Sequence, residues 1–114
     1  MKIIFTAKGN RWESAMDPRF GRTEYMLIYD EDRDELTFFD NRETARVAHG
    51  AGPKTAQKIS ELEPDIIITG NGPGDNAMRI IHQLNVDIYT GAINMTVKEA
   101  YEAYRNDDLK KFAW

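Results

Sequence analysis

Three consecutive isoleucines, Ile66-Ile67-Ile68, stand between Pro64-Asp65 and the loop Gly70-Asn71-Gly72-Pro73-Gly74-Asp75. A short unbroken β-branched run with turn residues on both sides is the pattern of a strand buried on both faces of its sheet. Both faces of such a sheet must be covered, and the alternation of strands with helical segments along the chain sets the class to α/β. Around this strand, read as Asp65 to Thr69, the rest of the chain arranges itself.

Lys2 to Ala7 reads as a first strand. Lys8 to Thr23, with Gly9, Asn10, Pro18 and Gly21, reads as a long loop. Glu24 to Asp30 and Glu35 to Asp40 are apolar runs around the polar turn Glu31-Asp32-Arg33-Asp34, the mark of an antiparallel hairpin. Asn41 to Gly52 is again loop. A helix is expected from Pro53, whose fixed φ suits a first turn, with Ala56, Ile59 and Leu62 on one face and Pro64 ending it. Ala77, Ile80, Ile81 and Leu84 predict a second helix, and Val86 to Thr90 a fifth strand. Thr96-Val97-Lys98-Glu99 fits a capping box that opens a third helix, with Val97, Ala100, Tyr101 and Tyr104 on one face. Arg105 to Trp114 is a polar tail with Leu109, Phe112 and Trp114 available to dock back.

Numbered in chain order, strands 1, 4 and 5 are parallel with right-handed crossovers, and the hairpin lies on the other side of strand 1. The expectation is one domain over residues 1–114. It has three layers, a mixed five-stranded sheet of order 3-2-1-4-5 with strand 2 antiparallel, and three helices. Every glycine-bearing loop then reaches the same edge. These loops hold Lys8-Gly9-Asn10, Phe20-Gly21-Arg22, His49-Gly50-Ala51-Gly52, Gly70-Asn71-Gly72 and Gly91-Ala92. Ligands of open α/β sheets bind outside the carboxyl ends of the strands, where the winding reverses, here between strands 1 and 4. His49 is the imidazole at that edge, able to serve as metal ligand, proton donor or anion contact, or to stand as an exposed loop residue. Lys8, Asn10, Arg22, Gly50, Gly52, Gly70, Asn71 and Gly72 are the accompanying candidates for polar and close main-chain contact. Asp17 and Asp75 can also reach the edge, and Arg22 can instead pair with Asp17 or Glu24. His82, beside Ile81, is expected at a helix surface.

Several functions are excluded. With no cysteine, disulfides, thiolate-bound zinc and a thiol nucleophile are ruled out. The formal charge of −4 with interspersed signs is a poor match to a nucleic-acid backbone. No apolar run approaches the roughly 20 residues of a membrane span, and the chain opens on a strand rather than a leader, so a cytoplasmic protein is expected. The Gly70 loop lacks dinucleotide spacing, no phosphate-loop motif exists, and no carboxylates lie on the central strands to hold Mg²⁺.

Asp17-Pro18-Arg19-Phe20-Gly21-Arg22, the strand Tyr25-Met26-Leu27-Ile28-Tyr29-Asp30, His49-Gly50-Ala51-Gly52, Ile67-Ile68-Thr69-Gly70 and Val86-Asp87-Ile88-Tyr89-Thr90-Gly91 together resemble the dinitrogenase iron–molybdenum cofactor biosynthesis family (NifX-like and NifB C-terminal-domain-like). The likeness runs from Met1 to about Tyr104. It implies a ribonuclease H-like motif and a non-catalytic accessory role, binding an iron–sulfur or iron–molybdenum cluster or its precursor transiently, with cofactor-assembly proteins as partners. Without cysteine, His49 is the remaining candidate for direct metal ligation. Three other readings stay open: a binding or sensor module for a small anionic metabolite at the same edge, a small enzyme using His49 as acid or base, and a protein–protein adaptor acting through Phe112 and Trp114. Sequence leaves the ligand and the oligomeric state unknown.

Overall fold

The computed structural model describes residues 1–113; Trp114, expected to dock with the tail, lies outside the described residues. The elements are β1 (Lys2–Ala7), β2 (Tyr25–Asp30), β3 (Glu35–Asp40), α1 (Arg42–Ala45), α2 (Ala51–Leu62), β4 (Ile66–Ile68), α3 (Asp75–Ile81), β5 (Asp87–Thr90), α4 (Val97–Arg105) and β6 (Lys110–Lys111). They form one sheet of order β3-β2-β1-β4-β5-β6. β2 runs against both β1 and β3, and β4 lies parallel to β1 and β5. The first five strands therefore stand in the expected order.

The count of elements needs correcting. Among the described residues the sheet has six strands, not five, and there are four helices, not three. β6 escapes a reading by side-chain pattern because its two residues are exposed lysines. It forms because Leu109 is buried beside it and the Phe112 N–H donates to the Ile88 carbonyl at 2.7 Å, which lays the tail antiparallel on β5. α1 is a single turn with no buried residue, too short to show a helical period. α2 also begins earlier than Pro53, at Ala51, and Pro53 sits within the first turn, where a missing N–H costs no helical bond.

Side-chain alternation along the strands sorts the core into two layers. Ile3, Phe5, Leu27, Ile66 and Ile68 face Val97 and Ala100 of α4. Ile4, Met26, Ile67 and Ile88 face Ala56 and Ile59 of α2 and Ala77 and Ile81 of α3. The Ile66-Ile67-Ile68 run thus divides between both layers, which is why it is apolar throughout. All three side chains are removed from water, worth roughly 2 kcal/mol apiece in transfer free energy. Against the α4 layer, Trp12, Tyr29 and Tyr101 meet edge-on or tilted, with ring centroids 4.9 to 5.8 Å apart. Phe38 is half exposed beside Tyr25, and Phe39 lies under the Lys58 ammonium at 4.4 Å.

This arrangement places the residues following β1, β3, β4 and β5, and those preceding β2, at one end of the sheet. The β2–β3 turn lies at the other.

Candidate functional site

At that end, a surface cleft of about 480 Å³ opens between the segment before β2 and the first turns of α2 and α3. Arg19, Gly21 and Arg22 form one wall. His49, Gly50 and Gly52 form the second, and Gly74, Asp75 and Asn76 the third.

Close main-chain packing brings the first two walls together. A Cβ on Gly21 would lie 2.7 Å from the Gly52 Cα, so Gly21 depends on its missing side chain. The Thr55 hydroxyl of α2 donates to the Gly21 carbonyl at 2.6 Å. Asn41, almost wholly buried, donates from Nδ2 to the Thr23 carbonyl and to Thr55 Oγ1, each at 3.0 Å. One buried amide therefore holds the end of β3, the entry to β2 and the start of α2 in register.

His49 is exposed on the rim and makes no hydrogen bond among the described residues. Gly50 follows it with φ of 81°, a left-handed conformation natural to glycine, and begins α2 with no side chain over the helix end. The first main-chain N–H groups of α2 are left without helical partners, as at any helix start, and their partial positive charge lies beside the cleft.

Arg22 is placed in the cleft but is largely occupied. Its Nη1 donates to the carbonyls of Ala45 and Val47 at 3.0 and 2.8 Å, and Nη2 to that of Ala48 at 3.3 Å. It clamps the stretch that carries His49, and it forms no ion pair with Asp17 or Glu24. Asp17 pairs instead with Arg19. The Asp17 carboxylate, considered above as a group reaching the ligand edge, is wholly buried. Hydrogen bonding to Asp17 raises the pKa of Arg19 above its ordinary value, so the guanidinium is a fixed cation. Asp75 contributes a carboxylate on the opposite wall.

The remaining candidates lie elsewhere on the same end. Gly70, Asn71 and Gly72 line a second depression of about 390 Å³ with Phe112 and Lys110. Glycine serves packing there: a Cβ on Gly70 would meet the Pro18 Cα at 2.7 Å, and one on Gly72 the Phe112 ring at 2.7 Å. Lys8 lines a third, of about 340 Å³, with Met95 and Thr96. Asn10 is exposed and borders none of these three hollows. His82 is exposed at the end of α3. Among the described residues no cluster of three or more His, Asp or Glu is placed to hold a metal ion. The cleft thus has the means to attract an anion and one imidazole to bind a metal, but no ligand cage.

Arg19 is the residue that sequence reasoning passed over. Its signal was present in Asp17-Pro18-Arg19, an acid and a base held two residues apart around a stiff proline.

A family model described as dinitrogenase iron-molybdenum cofactor matches residues 1–107. Among solved structures, the apo form of the orange protein from Desulfovibrio gigas superposes with a TM-score of 0.89 at 24% identity. It covers 98% of this chain and 92% of that one. A putative NifB protein from Thermotoga superposes with a TM-score of 0.81 at 27% identity, covering 99% of this chain and 97% of that one. No curated protein matches the chain. No helix among the described residues is long and apolar enough to cross a membrane.

Proposed function

Because this chain belongs to the dinitrogenase iron–molybdenum cofactor family, we propose that it is a cytoplasmic accessory protein that carries a metallocluster, or the precursor of one, in the cleft beside α2. It binds the cluster transiently, does no chemistry on it, and passes it to proteins of cofactor assembly.

The observation that carries this reading is the setting of His49: exposed, unpartnered and on the rim of a cleft with two arginines and the open end of a helix. A cluster that arrives with sulfide and other anionic terminal ligands already attached carries net negative charge, so a carrier need not supply every ligand. Charge and main-chain N–H groups hold such an anion loosely. A single imidazole bond to one metal adds direction. Weak, few-point attachment suits a cargo that must leave again, whereas a set of thiolates would retain it.

Anaerobic titration with an iron–sulfur cluster and with iron–molybdenum cofactor tests the proposal, followed by absorbance, paramagnetic resonance and co-elution. Wild type is expected to co-elute with a cluster, and His49→Ala to lose at least about tenfold in affinity, the loss of one metal–ligand bond among several weak contacts. If wild type binds neither cluster, the carrier function is wrong for this protein. Binding that His49→Ala leaves intact removes His49 as a ligand and gives weight to recognition of a small anion by the same cleft.

A further inference from the structure

Asp17 has no capacity left for a ligand. Its Oδ1 accepts from the main-chain N–H and the Nε of Arg19, each at 3.0 Å. Its Oδ2 accepts from Arg19 Nη2 at 3.0 Å and from the Glu24 N–H at 3.1 Å. Four donors fill the four acceptor directions of a carboxylate that is itself fully buried.

The same bonds fix the guanidinium. A guanidinium has a side edge, made by Nε and Nη2, and an end edge, made by Nη1 and Nη2. Asp17 takes the side edge of Arg19, so the plane cannot turn. Nη1 makes no hydrogen bond among the described residues, and the side chain is 51% exposed where it lines the cleft. Arg22, by contrast, has three of its five donors committed to carbonyls.

We infer that Arg19 is the anion anchor of this cleft, offering its end edge as a preset fork for two oxygens of a tetrahedral oxyanion of the phosphate and sulfate type, with buried Asp17 as its positioning residue. The inference rests on the reading of the cleft as an anion site but names a different residue and a ligand class. A fork held open before binding loses little side-chain freedom on capture, and two parallel N–H bonds select for paired acceptors over a spherical ion. Asp75 on the far wall repels an anion that strays from the fork, which keeps the ligand on the Arg19 side.

The probes are inorganic phosphate, sulfate and chloride, titrated into the full chain and followed by nuclear magnetic resonance of arginine side-chain and main-chain N–H signals. Phosphate and sulfate are expected to give saturable, mutually competitive shifts at Arg19 and at residues 50–52, and chloride none. Arg19→Lys keeps the charge and one bond to Asp17 but loses the fork, and is expected to weaken phosphate about tenfold or more while the chain stays folded. Asp17→Asn is expected to move the Arg19 Nε signal toward that of a free arginine and to weaken phosphate in parallel. If Asp17→Asn fails to fold, Arg19→Lys alone decides.

Unchanged phosphate binding in Arg19→Lys overturns the inference, as does the absence of saturable oxyanion binding in wild type. Cluster binding that depends on His49 alongside an Arg19→Lys variant with unaltered phosphate binding leaves the carrier reading standing without the anchor. Phosphate binding that depends on Arg19, with no cluster bound, leaves the anchor standing and the carrier reading fallen.

Discussion

Gly21 and Gly74 both border the cleft, and their substitutions should part company. An alanine at Gly21 would press its methyl against main chain, the Gly52 Cα at 2.7 Å and N at 3.0 Å, and main chain cannot swing aside as a side-chain tip can. Gly21→Ala is expected to cost about 1–3 kcal/mol in urea unfolding, the usual range for overpacking, and to weaken anion binding by separating the Arg19 wall from the His49 wall. At Gly74 nothing lies within 4 Å of the added methyl, so Gly74→Ala should stay within about 0.5 kcal/mol of wild type. Equal stabilities would contradict the packing described. Single residues were unevenly legible in the sequence. His49 and Arg22 could be placed at the right end of the sheet because loop position follows from strand order. What Arg22 touches, and that Arg19 rather than Asp17 faces outward, depends on which carboxylate the fold buries, and no local pattern states that.

Two helix beginnings at the same end of the sheet are closed in different ways. α4 opens on a complete capping box: Glu99 N–H donates to Thr96 Oγ1 at 3.1 Å, and Thr96 N–H to Glu99 Oε1 at 2.8 Å. The next N–H groups, of Val97 and Lys98, donate to the Ser14 and Trp12 carbonyls, so the loop after β1 closes that end. α2 begins on Gly50, with no side-chain cap. Thr96→Ala should therefore cost about 1 kcal/mol of stability, read from chemical denaturation, and leave phosphate affinity unchanged. A loss of phosphate binding in that variant would place the anion elsewhere. The box was readable from four consecutive residues because both of its bonds are local. α1 and β6 were not: a single turn shows no period, and two lysines become a strand only when Leu109 and Phe112 bring them to β5.

Over the whole molecule, strand order was the most legible property, since one buried isoleucine strand, two crossovers and one tight hairpin leave little topological choice. Charge is spread with a polarity that the net value of −4 conceals. Residues 30–35, at the β2–β3 turn, hold five acids and one arginine, while residues 40–58, running from the end of β3 into α2, hold four bases and two acids apart from His49. An anion that binds in the proposed cleft would gain from this polarity on approach. Raising ionic strength from about 0.01 M to about 0.15 M shortens the screening length from roughly 30 to roughly 8 Å, so phosphate affinity should fall over that range. A flat response would mean that contact bonds alone hold the ligand. The ends of the sheet carry a different consequence. An edge strand is a template on which other chains can grow into fibrils. On one side the template is a two-residue strip of lysines, β6. On the other it is β3, and a second copy laid antiparallel across it with Thr37 opposite Phe38 would set Glu35 against Asp40 and Arg33 against Arg42 at both ends. In that register the repulsion at both margins opposes growth of the sheet through β3 when the protein is crowded by its own copies.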